Sequence, residues 1–256
     1  MQTVAANDTI KSFWTIEEQL PSFHFSLRNR RTLLHLLVVL ILPCLVLGQK
    51  GYKYPFKYAN TYQYQHQNSL SLPSSLGANE KRCHFDINLL DKINPDTPSS
   101  PYQKQISNSA YWLPAAVVVG ELGYGLINND ALNKRYAVET TVTVGIGQAM
   151  SIGLKQLFHR PRPFMTFPDR IHPINYGTGP SFPSGHTTLA FSTATSLALT
   201  RKQWTVTVPI TLWAGSVGYS RMYLGRHYPT DVLGGIATGI VSGILGHWLT
   251  GRIYGD

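Results

Sequence analysis

After residue 109 the chain repeats one pattern, in which apolar stretches alternate with short polar turns. The stretches are rich in glycine, alanine, serine and threonine, which let helices pack closely in lipid. The pattern therefore predicts an all-α fold, a helical bundle. Its apolar stretches are residues 110–128, 136–158, 187–200, 204–219 and 232–250.

The charges in the turns favour a bundle that crosses a membrane. Several stretches are short or polar for spans, and the mean hydropathy of the whole chain is -0.09, so a soluble helical bundle also fits. However, the basic turns at 133–135 and 201–202 fall on one side if each stretch crosses once, as positively charged cytoplasmic loops do. A soluble bundle has no reason to show that alternation. We therefore expect an integral membrane protein with five or six spans.

The first 48 residues form a basic leader and an apolar segment. Residues 1–31 are polar and end in a basic run at 28–31, and residues 32–48 are almost wholly apolar. The apolar segment is either a cleaved signal peptide or a retained first span. In both cases the arginines stay in the cytoplasm, so the chain after Gly48 lies on the far side of the plasma membrane.

Residues 49–109 form a polar region rich in tyrosine, glutamine and serine, which we expect to be extracytoplasmic. Within it, residues 85–93 predict a short amphipathic helix. This helix would lie on the membrane surface or cover the core. The apolar residues on its one side are Phe85, Leu89, Leu90 and Ile93.

Composition narrows the classes of function. Of 256 residues, 43% are hydrophobic and only 14% are charged, which is low in charge for a soluble protein. The net charge of +9 is compatible with nucleic acid, anionic lipid or an anionic substrate. No basic face with interleaved aromatics is present, so we expect no nucleic-acid partner. The two cysteines, Cys44 and Cys83, fit neither a disulfide framework nor a zinc or redox motif.

The stretch 220–231, SRMYLGRHYPTD, carries the first candidate chemistry. A histidine that attacks as a nucleophile must be neutral on one nitrogen and held in one orientation, and His227 has Asp231 placed to accept from its other nitrogen. Pro229 and Thr230 mark a helix start between them. A surface pair or a helix cap would give the same spacing, so the pair alone leaves both interpretations open.

A second block, residues 155–163, places two cations at one helix end. Pro161 and Pro163 end the helix, which leaves Lys155 on its last turn and Arg162 just beyond it. The helix macrodipole also favours basic residues at a C-terminus, so this block alone does not establish a site.

A third block, residues 183–186, predicts an anion site at a helix N-terminus. Ser184 suits the N-cap position, and Gly185 lets the backbone approach a ligand, so a hydroxyl and free N–H groups would face an anion. His186 stands beside them and could deliver a proton. A capped helix start with an incidental histidine is the alternative.

Taken together, the three blocks agree with a known signature in residue type, order and spacing. Their residues are Lys155, Arg162 and Pro163, then Pro183, Ser184, Gly185 and His186, then Ser220, Arg221, His227 and Asp231. This set resembles the three-part signature of the type 2 phosphatidic acid phosphatase (PAP2) superfamily. The resemblance implies a PAP2-type helical bundle with residues 110–256 as the catalytic domain, and 32–48 as the first of six spans.

The resemblance also implies a role for each matching residue. His227 would attack phosphorus and form a phosphohistidine, Asp231 would orient it, and His186 would protonate the leaving group and then activate water. The residues that would hold the phosphoryl oxygens are Lys155, Arg162, Ser184, Gly185 and Arg221. These cations suffice without a metal, so no metal or other cofactor is expected.

The signature assigns no role to three further residues within these blocks. They are His159, Arg160 and Arg226. We expect them to support the site residues or to contact a headgroup.

The favoured function is a multi-pass phosphatase of a bacterial-type plasma (inner) membrane, with its site facing the periplasm or exterior. It would hydrolyse the phosphate monoester or pyrophosphate of a membrane lipid. The alternatives are a soluble secreted acid phosphatase of the same superfamily, a vanadate-dependent haloperoxidase, and a non-catalytic lipid-binding or transport protein. Phosphatidic acid, phosphatidylglycerol phosphate, a polyprenyl pyrophosphate and the phosphorylated headgroup of lipid A all fit as substrates. Oligomeric state stays open.

Overall fold

The computed structural model describes residues 77–177 and 179–255, with side chains in the first helix from residue 85 onward. The predicted apolar segment at 32–48, and most of the polar region after it, lie outside these residues. Over the described ranges the chain is all-helical, without a strand. The helices are α1 Gly77–Ile93, α2 Pro101–Ile127, α3 Ala131–Phe158, α4 Pro163–Thr166, α5 Gly185–Arg201, α6 Trp204–Tyr223 and α7 Pro229–Tyr254.

Each apolar stretch predicted after residue 109 forms one long helix, apart from residue 128 at the end of the first, so the predicted all-α bundle is confirmed. Helix α7 packs against α5 and α3, and four of its glycines lie at these contacts, Gly235, Gly239, Gly243 and Gly246. A Cβ atom added at Gly239 would lie 2.9 Å from the backbone nitrogen of Ser192 and 2.9 Å from the carbonyl oxygen of Thr188. The absence of a side chain at this position is therefore what lets α5 and α7 approach.

We expect Gly239→Ala to destabilise the bundle by about 1–3 kcal/mol, because overpacking forces backbone shifts. Gly215→Ala in α6 is the matched control, since a Cβ there meets nothing within 4 Å. The control should be neutral or slightly stabilising, because alanine favours helix by about 1 kcal/mol over glycine. Thermal unfolding in detergent measures both effects. Equal unfolding midpoints for the two variants would show that the contact between α5 and α7 is not close.

Two of the described helices, α2 and α7, are long and apolar enough to cross a membrane by length and composition. Helix α5 has 17 residues, shorter than the roughly 20 that span a bilayer. One side of α7 exposes large apolar side chains. These are Leu233, Ile240, Ile244 and Trp248.

The two basic turns predicted on one side lie at the same end of the bundle. Arg201 at the end of α5 donates to Glu121 of α2 (3.0 Å), and its guanidinium stacks over the ring of Tyr136 in α3 (4.8 Å to the centroid). At the opposite end, the backbone N–H of Ser184 donates to the carbonyl oxygen of Asp231 (3.0 Å). The bundle therefore has a basic end and an end that gathers the signature blocks.

Helix α1 contains the predicted amphipathic segment 85–93 but begins earlier, and it covers the core. Ile87 is 2% exposed and Leu90 is fully buried, whereas Phe85 is 69% exposed. The predicted apolar face is thus wrong at Phe85 and at Leu89, which is 36% exposed, because Asp86 makes buried hydrogen bonds at the end that gathers the signature blocks and turns its own face inward. The core residues that pack with Ile87 and Leu90 are Phe164, Ile171 and Tyr228.

Candidate active site

The Asp231 carboxylate is fixed in the first turn of α7, as the sequence predicted. It is fully buried and accepts a hydrogen bond from the backbone N–H of Tyr228 (2.9 Å), which is the N-cap residue. It also accepts from the hydroxyl of Ser181 and from NH1 of Arg160 (2.7 Å). Because both of its oxygens accept hydrogen bonds, the carboxylate is held in a single orientation.

The imidazole of His227 lies between this carboxylate and a cation. It is 2% exposed, with Nδ1 3.5 Å from Oδ2 of Asp231 and Nε2 3.5 Å from NH1 of Arg162. A separation of 3.5 Å exceeds that of a normal hydrogen bond, but catalytic contacts often tighten only when substrate binds. Nδ1 therefore faces the carboxylate, and Nε2 is the atom available for attack.

The surroundings of His227 favour the neutral imidazole. Burial, together with the positive charges of Arg162 and Arg221, lowers the pKa of His227 well below its usual range. A neutral ring retains a lone pair, which a nucleophile needs.

This shift predicts the acid limb of the pH profile. A histidine with a lowered pKa remains unprotonated as pH falls, so kcat/KM should hold to well below pH about 6.5, the ordinary histidine value. The measurement is kcat/KM against pH, corrected for ionisation of the substrate phosphate. If the acid limb of the corrected kcat/KM profile gave a pKa at or above about 6.5, it would contradict the environment described for His227.

Two of the predicted phosphate-binding cations also hold the loop that precedes α5. The ammonium of Lys155 donates to the carbonyl oxygens of Pro180 (3.1 Å), Ser181 (3.3 Å) and Pro183 (2.5 Å). Arg162 donates through Nε to the carbonyl oxygen of Gly179 (3.1 Å). These contacts join the block at the end of α3 to the block at the start of α5.

Arg221 reaches the site from α6. Its NH1 donates to the hydroxyl of Ser107 in α2 (2.6 Å), and its buried Nε has no hydrogen-bond partner among the described residues. A buried donor left without a partner costs free energy. An anion oxygen beside Arg221 would satisfy it, which fits the predicted role.

The N-terminus of α5 lies where the sequence placed it, but one predicted contact is absent. Ser184 occupies the N-cap position, yet its side chain makes no cap hydrogen bond and instead accepts from the hydroxyl of Thr187 (2.8 Å). A Cβ on Gly185 would lie 3.6 Å from Oγ of Ser151, a buried hydroxyl without a partner in the described part of the chain. The first turn of α5 is therefore left open for a ligand rather than capped.

His186 packs against α2 through a contact that the sequence did not indicate. The ring of Tyr111 meets it edge to face, with centroids 4.5 Å apart, and the Tyr111 hydroxyl lies 3.5 Å from its Nδ1. Ser107 and Tyr111 are four residues apart, so they share one face of α2. That face supports both Arg221 and His186.

The sequence missed some of the residues that support the site and predicted others. Ser181, which donates to Asp231, stands two residues before Pro183, so its nearness to that block was the one available signal. Arg160 supports the site as the sequence predicted, since it donates to Asp231 (2.7 Å), whereas Arg226 donates to the carbonyl oxygen of Asn175 (2.5 Å).

The described residues contain no group of three or more histidine, cysteine or acidic side chains that could hold a metal ion. The site instead combines two histidines, one fixed carboxylate, buried cations and a helix N-terminus. Such an arrangement can bind a tetrahedral anion and transfer a group to a nitrogen nucleophile.

Comparison with known proteins gives a consistent result. A sequence model of the PAP2 superfamily matches residues 136–254. Lipid A 4'-phosphatase of Bacteroides thetaiotaomicron is 34% identical over 169 residues, which cover 60% of this chain and 73% of that protein. Undecaprenyl-diphosphatase BcrC of Bacillus subtilis is 30% identical over 114 residues, which cover 44% of this chain. The chain spans only 57% of the length of BcrC. The crystal structure of Aquifex aeolicus LpxE matches with a TM-score of 0.53 and 27% identity over 64% of this chain and 95% of that one.

Proposed function

The chain belongs to the PAP2 superfamily, and on that premise we propose that it is a membrane phosphatase of lipid phosphates or lipid pyrophosphates. The observation that carries this proposal is the placement of His227, with Nδ1 facing Asp231 and Nε2 facing Arg162. A nucleophile held by a carboxylate and adjoining a cation is what phosphoryl transfer to nitrogen requires.

The proposed reaction has two steps. Nε2 of His227 attacks phosphorus, the bond between phosphorus and the leaving oxygen breaks, and His186 gives its proton to that oxygen. Water then attacks the phosphohistidine and gives a proton back to His186, the phosphorus–nitrogen bond breaks, and phosphate leaves. Lys155, Arg162 and Arg221 stabilise the charge on the phosphoryl oxygens.

Two observations support a lipid rather than a soluble substrate. The apolar side of α7 leads away from the N-terminal turn that carries Asp231, so a lipid tail beside this helix would bring its headgroup to the site. The names of the relatives, a lipid A phosphatase and an undecaprenyl-diphosphatase, point to phosphate on a membrane-embedded tail.

The test is phosphate release by purified protein in detergent from a panel of substrates. The panel holds phosphatidic acid, phosphatidylglycerol phosphate, a polyprenyl pyrophosphate, lipid A and a soluble aryl phosphate. The proposal expects at least one lipid to exceed the aryl phosphate in kcat/KM. Preference for the aryl phosphate, with extraction that needs no detergent, would favour the secreted acid phosphatase instead.

We further propose that the catalytic end faces the exterior or periplasm of a bacterial-type plasma membrane. The basic end, with Arg201, would then lie in the cytoplasm. Asp169 is exposed at the catalytic end, and Gln203 is exposed at the basic end.

In a Cys44→Ser, Cys83→Ser background, Asp169→Cys should react with an impermeant maleimide on intact cells whose outer membrane is permeabilised. Gln203→Cys should react only after lysis. The reverse pattern would place the site in the cytoplasm.

Activity should survive chelation, because the proposed charge stabilisation comes from side chains rather than a divalent ion. Vanadate should inhibit, since it adopts the five-coordinate geometry of the transferring phosphoryl group. Assays with EDTA and with vanadate check both statements. Loss of activity in EDTA that magnesium restores would contradict the assignment of the cations.

A further inference from the structure

Helix α1 contributes one buried carboxylate, that of Asp86, to the end of the bundle that holds the candidate active site. Asp86 is 4% exposed and accepts a hydrogen bond from the backbone N–H of Thr230 (3.0 Å) and another from its hydroxyl (2.5 Å). Its Oδ2 also accepts from NH2 of Arg160 (2.8 Å). Asp86 thus supplies, from a distant part of the chain, an acceptor for the first turn of α7. The N-cap residue Tyr228 is not one of the residue types preferred for that purpose.

Arg160 joins this carboxylate to the one beside the proposed nucleophile. Its NH2 meets Asp86 while its NH1 donates to Oδ1 of Asp231 (2.7 Å) and to the hydroxyl of Thr230 (2.6 Å). Its guanidinium also lies 3.9 Å from the ring centroid of Tyr228. A planar guanidinium held at both ends and on one face has little freedom to turn.

The charge balance explains how two buried carboxylates are tolerated side by side. Asp86 and Asp231 are buried, and a buried carboxylate is tolerated only when it is paired and hydrogen-bonded. Arg160 serves both, and both lie at the N-terminus of α7, where the helix dipole favours negative charge. Without Asp86, Arg160 would lose one of its two carboxylate partners, and Asp231 would be held less firmly beside His227.

We propose that Asp86 is a positioning residue for the reaction, acting through Arg160 and the first turn of α7 on Asp231. It lies outside residues 136–254, which match the superfamily model, so α1 completes the site from beyond that region. This proposal rests on the proposed phosphatase function.

The main variant is Asp86→Asn, which keeps the size of the side chain and an acceptor for Thr230 while removing the charge. We expect kcat to fall about 10- to 100-fold, as small displacements of catalytic groups do, with KM changed less than about twofold. Asp86→Glu, which restores a carboxylate, should recover part of the loss. Asp91→Asn is the matched control, since Asp91 also ties α1 to a partner, Arg170 (2.8 Å), but on the exposed surface. It should leave both constants unchanged.

A double-mutant cycle tests whether Asp86 acts through Arg160. If it does, Asp86→Asn combined with Arg160→Gln should lose little more activity than Arg160→Gln alone, because interacting residues are not additive. Fold-losses that multiply would overturn the proposed route. Thermal unfolding midpoints above the assay temperature exclude loss of folded protein as the cause.

The outcomes separate the two proposals. Wild type and Asp91→Asn without phosphatase activity on every lipid of the panel would overturn the proposed function. Active wild type with an equally active, folded Asp86→Asn variant would overturn the role of Asp86 alone.

Discussion

Replacing His227 with alanine should lower kcat by about 10⁵-fold or more on each lipid that the wild type hydrolyses, because no other group takes over the role of an essential nucleophile. Nε2 of His227 lies 3.5 Å from Arg162, so removal of the ring deprives the cationic pocket of its attacking atom. Binding should be affected far less, since the cations that hold the phosphoryl group remain. The measurement is kcat with lipid substrate in detergent, with the affinity for inorganic phosphate, which needs no bond to the ring, as the readout of the intact cationic pocket.

The control for this variant is His172→Ala, which makes the same change at a histidine that is 39% exposed and lies near Asp96 (3.8 Å). It should retain ordinary turnover. A well-folded His227→Ala protein with near-normal activity would contradict the mechanism, because some other group would then have to attack phosphorus.

Asp231→Asn should have the second-largest effect, with kcat falling on the order of 10³- to 10⁴-fold, the scale known for an aspartate that orients a catalytic histidine. The carboxylate lies 3.5 Å from Nδ1 of His227 and accepts from Arg160 and Ser181. An amide in its place presents an N–H group towards one of these donors. Ring orientation and charge balance would both be lost.

The same variant should also unfold more easily, by about 1–3 kcal/mol, because buried donors are left imperfectly paired. Asp96→Asn is the matched control, since the Asp96 side chain is fully exposed. Comparing kcat and unfolding midpoint for the two variants measures both effects. Unchanged turnover in Asp231→Asn would show that His227 needs no carboxylate.

The helices could be predicted because their signals are local, whereas the candidate site residues were identified by the resemblance of three separate blocks to one signature. Each long helix after α1 corresponds to one continuous apolar stretch of sequence. Pro229 and Ser184 were predicted to mark helix starts, and in the structure they stand at the starts of α7 and α5. The spacing of His227 and Asp231 belongs to a single turn, so the sequence predicted that the two side chains lie close together, and they are 3.5 Å apart.

The support of the site could not be predicted, because its contacts join residues far apart in the chain. Ser107 meets Arg221 across 114 positions, and Asp86 meets Thr230 across 144. No local pattern marks a serine or aspartate as the partner of a residue that distant. The apolar periodicity of α1 pointed to Phe85, but the buried hydrogen bonds of Asp86 decide which face of the helix turns inward.

Ser184 shows a different limit of prediction from sequence, that of helix-capping propensity. Residue type and position were right, yet the hydroxyl accepts from Thr187 instead of capping α5. Propensity describes what isolated helix ends prefer, whereas a ligand site favours leaving those groups open.

Trapping the covalent intermediate tests the central claim, that His227 is the nucleophile, most directly. The substrate is a radiolabelled aryl phosphate, whose leaving group needs no proton, and the enzyme is His186→Ala, which should load phosphate but release it slowly. An alkaline quench preserves a phosphorus–nitrogen bond. The account predicts base-stable, acid-labile label that fragmentation places on His227 and not on His247 in α7. Acid-stable label on a hydroxyl such as Ser184, or label on His247, would contradict it.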